Sequence, residues 1–304
     1  MDVNSTAVVR IICGPTASGK TAAALALAEK QPLEVVSADS RQIIRHLDIG
    51  TAKPTPQERA RLPMHLIDII EPGERYSAFR FIDDATRVID DIFGRDRTPL
   101  VVGGTGLYLR ALSEGVVEID TEDMNIRDRL EREMEQIGPE KMHQRLGKID
   151  PLEAAKVHPN NKVRVIRALE IFHITGKCKS ELTATGAYRK SKHRLEYHCL
   201  LPERGALYEK INVRVEAMMA AGWLEEVRQL CEEGRRNQIL RSNVIGYSEL
   251  LDHLDGTLSL DEAVSVIKQS TRRYAKRQMT WFRNQTSCIF YQRPQELAEA
   301  LVGA

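Results

Sequence analysis

Apolar positions along the 304-residue chain follow two rhythms, and short continuous runs dominate the first of them. Val8 to Cys13, Leu33 to Ser37, Leu66 to Ile70 and Leu100 to Val102 are mostly apolar without alternation, the pattern of strands buried in a parallel sheet. The segments between them are long enough to hold crossovers, so the spacing predicts a parallel α/β sheet. Ala22 to Lys30, rich in Ala, Leu and Glu, reads as a helix. Ser77 can cap another, in which Phe81, Ala85, Val88, Ile89 and Ile92 share one face until about Gly94. After Gly115 the helical period takes over, through Ile126 to Ile137, Pro139 to Gln144 and Lys162 to Thr175, with a weak strand near Leu195 to Leu201. Further helices are expected over Leu207 to Ala220, Trp223 to Glu232, Leu260 to Arg283 and Pro294 to Val302. The organisation this predicts is an α/β core made of residues 1–115 and 202–304, carrying residues 116–201 as a mainly helical insertion.

Composition narrows the class. With 42% hydrophobic and 29% charged residues, the chain has the make-up of a soluble globular protein and the length for two domains. No basic region followed by an apolar run opens the sequence, and no segment approaches ~18 uninterrupted apolar residues, so a cytoplasmic protein without a membrane partner is expected. Cys13, Cys178, Cys199, Cys231 and Cys288 are scattered and lack C-x-x-C spacing, which reads as buried thiols rather than a zinc site or disulfide framework. The formal net charge is +1, so any affinity for nucleic acid must come from local basic surfaces.

The strongest chemical signal is GPTASGKT, Gly14 to Thr21, which fits the phosphate-cradling pattern G-x-x-x-x-G-K-[ST] between an expected strand and an expected helix. Gly14 and Gly19 let backbone N–H groups turn inward and the helix N-terminus adds positive partial charge. Lys20 supplies a cation, and the Thr21 hydroxyl can hold Mg²⁺. The second strand runs into Asp39, Ser40, Arg41 and Gln42, at the sheet edge where ligands of open α/β folds sit. From position alone Asp39 could be a general base, a water-mediated Mg²⁺ ligand or a helix N-cap. The fourth strand leads into Gly103-Gly104-Thr105-Gly106, which would let backbone approach closely and present a hydroxyl. Asp39 and Asp68 are the only carboxylates placed at strand ends, and no N-K-x-D stands in the chain, which disfavours a motor or guanine-nucleotide switch.

Two basic stretches stand out against the near-neutral total. Lys162 to Arg194 holds nine cations and two acids, and Thr271 to Arg283 holds five cations and no acid, interleaved with Tyr274, Trp281 and Phe282. Arg273, Lys276 and Arg277 share a helical face. Cations beside aromatic side chains suit the phosphates and unstacked bases of RNA loops, although one such run could equally be a solvated helix face.

These residues resemble the bacterial tRNA dimethylallyltransferases, also called tRNA isopentenyltransferases. The likeness covers nearly the whole chain: GPTASGKT at Gly14, DSRQ at Asp39, DIGTAKPT from Asp48 to Thr55, HLID at His65, YSAFRF at Tyr76, GGTGLY at Gly103, RVIRALEIFHITGK from Arg164 to Lys177, and AKRQMTWFR from Ala275 to Arg283. Ile44, Met64 and Asn161-Lys162 depart from the usual pattern. The resemblance implies a P-loop α/β core and transfer of a dimethylallyl group from dimethylallyl diphosphate to the exocyclic amine of the adenine just 3′ of the anticodon. It makes Asp39 the base and sets Thr105 and Arg127 near that adenine. Gly14, Pro15, Thr16, Ala17, Ser18, Gly19, Lys20, Thr21 and Arg214 would hold the diphosphate, with Mg²⁺ at Thr21. Asp39 to Gln42 would also touch the tRNA. The anticodon stem-loop would further be gripped by Val163, Arg164, Val165, Ile166 and Arg167, by Ser242, Asn243 and Gly246, and by Arg272, Arg273, Lys276, Arg277 and Gln278. The target base would flip out of its stack, and the enzyme would act as a monomer. The nearest alternative is an isopentenyltransferase of free adenine nucleotides. A lidded small-molecule kinase and an RNA-binding ATPase are more distant readings.

Overall fold

In a computed structural model, which describes residues 8–117, 124–186, 188–285 and 287–302, the chain forms two compact units. One comprises Met1–Ser113 with Lys190–Ala304 and the other Glu114–Arg189. The strands are β1 Val8–Cys13, β2 Leu33–Ser37, β3 Met64–His65, β4 Thr98–Gly103, β5 Val116–Val117, β6 Tyr188–Arg189, β7 Arg194–Leu200 and β8 Cys288–Tyr291. Six of them build one sheet in the order β3-β2-β4-β1-β7-β8, and every pairing in it is parallel. β5 and β6 pair antiparallel in the smaller unit.

The sheet is covered on both faces, which is why its inner strands read as unbroken apolar runs. One face packs Val9, Ile11, Val36 and Val101 against Phe81, Ala85, Ile89 and Ile92 of the helix Ala78–Gly94 and Leu109 and Leu112 of the helix Gly106–Glu114. The other packs Ile12, Val35 and Leu100 against Ala23, Ala24 and Leu27 of the helix Lys20–Ala28 and Leu297 and Leu301 of the helix Pro294–Val302. Ser77 caps its helix, accepting from Arg80 N at 3.1 Å. Helices Lys162–Thr175, Trp223–Glu232, Leu260–Arg283 and Pro294–Val302 have the bounds their periodicity predicts.

Two sequence expectations are corrected. The apolar run Leu66–Ile70 is not a strand: pairing ends at His65, and Leu66 and Asp68 take positive φ of 59° and 58°. Its backbone bonds to the loop after β2 instead, Asp68 N to Gln42 O and Ile69 N to Ile43 O, with Ile44 and Ile70 forming an isolated bridge. The weak strand near residue 195 is β7, hydrogen-bonded along the whole of β1 from Val8 opposite Arg194 to Cys13 opposite Cys199. It belongs to the sheet, so the chain re-enters the larger unit at Lys190 rather than after residue 201. The smaller unit has its own core, in which Leu130, Met134, Met142, Leu146, Val165 and Leu169 meet.

Candidate active site

Register places the loops. Cys13 lies level with Gly103, and Ser37 with Val102, so the segments after β1, β2 and β4 leave one sheet edge side by side. They border a cavity of about 740 Å³, a size suited to a small phosphorylated ligand. Thr16, Ala17, Gly19, Lys20 and Thr21 line it, with Asp39, Arg41, Gln42, Gly103 and Gly104. Arg214, Tyr274 and Arg277 enter from the C-terminal helices.

The P-loop forms the expected concave turn. Gly14, Ala17 and Gly19 take φ of 144°, 61° and 96°, and the helix begins at Lys20. Lys20 Nζ donates to Gly14 O at 3.1 Å and Pro15 O at 2.8 Å. Desolvation pushes its pKa down to about 8, with Asp39 pulling upward and Arg214 adding repulsion. Burial likewise lowers the pKa of Arg214, opposed by Asp39. Two buried cations therefore face one cavity, opposed there by Asp39, an arrangement that suits an anionic ligand. Ser18 Oγ is buried beneath the loop, beside Gly14, with no hydrogen-bond partner among the described residues. Among those residues no cluster of three or more His, Cys, Asp or Glu could hold a metal alone. The Thr21 hydroxyl lines the cavity, and such a single protein oxygen fits Mg²⁺, which keeps waters and takes ligand phosphates.

Asp39 Oδ1 accepts from Arg41 N at 2.9 Å and Gln42 N at 3.4 Å, while Oδ2 takes no hydrogen bond among the described residues. Its cap-like bonds shape a turn rather than a helix, and they aim one free carboxylate oxygen. Thr105 Oγ1 accepts from Ser40 N at 2.9 Å and donates to Ser40 Oγ at 3.2 Å, binding the β4 loop to the residue beside Asp39. Burial, then Asp39, raises the Tyr274 pKa to about 12, which keeps that phenol neutral. Asp68, the other strand-end carboxylate, is held by Lys53 and by Arg59 at 2.9 Å. Against the upward push of burial, these cations keep its carboxyl below its ordinary value, so it is committed to ion pairs.

The remaining expected positions divide. On the helix Leu260–Arg283, Arg273, Lys276 and Arg277 are exposed, and none has an ion pair among the described residues. Arg272 instead donates to Asn212 Oδ1 at 2.6 Å. Arg41 donates to Ser242 O at 2.8 Å, and Asn243 stands exposed beside it in the left-handed region. In the smaller unit, Val163 and Arg164 are exposed. Arg127 bonds Glu131 at 2.9 Å and lies 3.7 Å from Glu170, which also holds Arg167 at 3.0 Å. Several residues of the segments expected to meet RNA face inward in the protein. Val165 and Ile166 fill the helical core, and Gly246 lies against Trp223. Ser242 Oγ is taken up by Gly73 N and Gln238 O, and Gln278 is buried. Sequence reading gave no role to Lys53, whose side chain is 3% exposed, lines the cavity and pairs with Asp48 at 2.6 Å. A lysine among Pro and Thr looks solvent-facing until the fold surrounds it.

These features define a P-loop α/β protein whose phosphate-binding loop and a free carboxylate oxygen share one cavity. A family model described as IPP transferase matches residues 42–285, and one described as isopentenyl transferase matches residues 7–66. The tRNA dimethylallyltransferase 1 of Syntrophotalea carbinolica is 45% identical over 291 residues, covering 96% of this chain and 93% of its own. A crystal structure of a full-length tRNA isopentenylpyrophosphate transferase from Bacillus halodurans is 40% identical with TM-score 0.69, over 98% of this chain and 96% of that one. A eukaryotic dimethylallyltransferase acting on tRNA is 32% identical with TM-score 0.76, over 91% of this chain and 70% of that one. The chain belongs to the IPP transferase family.

Proposed function

We propose that this protein transfers the dimethylallyl group of dimethylallyl diphosphate to the exocyclic amine of the tRNA adenine 3′-adjacent to the anticodon, releasing diphosphate. The observation that carries this reading is that Lys20, Arg214 and Asp39, whose Oδ2 takes no hydrogen bond among the described residues, line one cavity. The two cations and the P-loop amides stabilise charge that grows on the leaving diphosphate as the allylic C–O bond breaks. Mg²⁺ at the Thr21 hydroxyl would add Lewis-acid stabilisation of the same oxygens. The adenine nitrogen forms the new C–N bond, and its proton passes to Asp39, whose other oxygen is fixed by two backbone N–H groups. Thr105 would hold the base beside Asp39. Arg273, Lys276 and Arg277, exposed and without an ion pair among the described residues, supply phosphate contacts.

A transferase of free adenine nucleotides would share the cavity, which Arg277 lines, but has no need of the exposed Arg273 and Lys276 outside it. Radiolabelled dimethylallyl diphosphate, incubated with Mg²⁺ and either unmodified tRNA or AMP, separates the readings. Label in tRNA alone is expected. Comparable label in AMP would replace the proposal by the free-nucleotide reaction, and label in neither would remove both.

A further inference from the structure

We infer that Gln278 is a positioning residue for transfer, an internal strut that fixes the spacing between the diphosphate loop and the Thr105 loop. Its side chain belongs to the basic helix Leu260–Arg283 yet is buried, at 8% exposure. Oε1 accepts from Thr16 N at 2.9 Å, and Nε2 donates to Gly104 O at 2.8 Å. Each partner is a backbone group in a loop, and a neutral amide supplies the acceptor and the donor at once. The fit leaves no slack. A Cβ on Gly104 would stand 2.7 Å from Gln278 Nε2 and 3.0 Å from Gly14 O, both too close to be accommodated without movement. One turn along the helix, Trp281 fills the space where a Cβ on Gly106 would reach, at 2.7 Å. Residues 278 and 281 thus grip the glycines on either side of Thr105, whose hydroxyl in turn holds Ser40 beside Asp39. A shift of this one amide would displace both the cradle of the leaving group and the neighbour of the base. Misplacement of that order costs rate strongly because the reaction depends on oriented groups.

The inference rests on the proposed transfer, and its test separates the two. Gln278→Leu removes both hydrogen bonds. It is expected to lower kcat about 10-fold or more and to weaken binding of inorganic diphosphate with Mg²⁺ several-fold by calorimetry, while tRNA affinity and its salt dependence stay unchanged. Gln278→Glu gives a readout that general loosening would not. Its ionised carboxylate lacks the donor for Gly104 O, but the protonated acid has one, so the ratio of variant to parental kcat should rise as pH falls toward 5. Leu-variant kinetics and diphosphate binding within twofold of the parent would overturn the assignment. So would a loss of tRNA affinity alone, which would make Gln278 an RNA contact. If the Leu variant does not fold, a pH-independent Glu ratio overturns it and a rising ratio upholds it. A parent that binds diphosphate without transferring label, with that binding still weakened by Gln278→Leu, would retract the reaction and keep the strut.

Discussion

Lys20 is a cation held where water is scarce, and its position in the ligand-free protein is costly. Its pKa falls from 10.5 to about 8, so between those values the unfolded chain binds a proton that the native state lacks, and stability rises with pH across that window. Below about pH 8 both states are protonated and the cost is carried in full. Lys20→Met should therefore stabilise the fold at pH 7 by a free energy on the order of 3 kcal/mol, seen as a higher melting temperature, while abolishing diphosphate binding and transfer. Calorimetric scans from pH 7 to 10.5 should show that gain fading; a gain of constant size would assign it to packing. At Asp39, replacement by Asn keeps an acceptor for Arg41 N but removes the base. Turnover should drop at least 100-fold, with tRNA binding retained in a filter assay; undiminished turnover would take the proton-acceptor role from Asp39. The loop motifs made the P-loop legible, because its spacing encodes a backbone shape. They left Asp39 open between base, water-mediated Mg²⁺ ligand and cap, since the backbone donors that hold its Oδ1 are set by the turn and not by the motif. The resemblance put Gln278 on the tRNA, and its inward direction was not legible, because which side of a helix faces a loop depends on packing far along the chain.

At the scale of elements, the helix Leu260–Arg283 has a closed N-terminus and two unlike faces. Ser259 and Glu262 form a reciprocal capping box, Ser259 N donating to Glu262 Oε2 at 2.8 Å and Glu262 N to Ser259 Oγ at 3.3 Å. Ser259→Ala should cost about 1 kcal/mol, lower the melting temperature by a few degrees and leave kcat unaltered, since the cap lies at the opposite end from Gln278. Removing Lys276 and Arg277 together, by Ala, should weaken tRNA binding and flatten the log K against log salt slope by about 1.5. An unchanged slope would place the RNA on another surface. Amphipathic spacing set the bounds of this helix, because its buried and exposed positions repeat over many turns. Leu66–Ile70 misled for the opposite reason. Five residues are too few for a period, and the loop after β2 competes with the sheet for their backbone bonds. The short helices Arg236–Ser242 and Tyr247–Leu254 gave no usable pattern for the same reason.

For the molecule as a whole, a ligand that fills the cavity should stabilise the folded chain by mass action. Diphosphate with Mg²⁺ at one hundred times its dissociation constant should add about 2.7 kcal/mol, and much less without the metal, as read by thermal shift. Equal shifts with and without Mg²⁺ would remove the ion from the site. Among the described residues no helix is long and apolar enough to cross a membrane. What the sequence determined by itself was what local chemistry can encode: buried strands from unbroken apolar runs, long helices from their period, a phosphate cradle from glycine spacing and two basic surfaces from acid-poor runs. Only the tertiary structure decided that β7 returns to lie beside β1 and that residues 16, 39, 105, 214 and 278 share one edge of the sheet. It alone turned part of the basic helix inward. Strand order and helix rotation are fixed by contacts between residues tens to hundreds of positions apart, and such contacts leave no period in the chain that makes them.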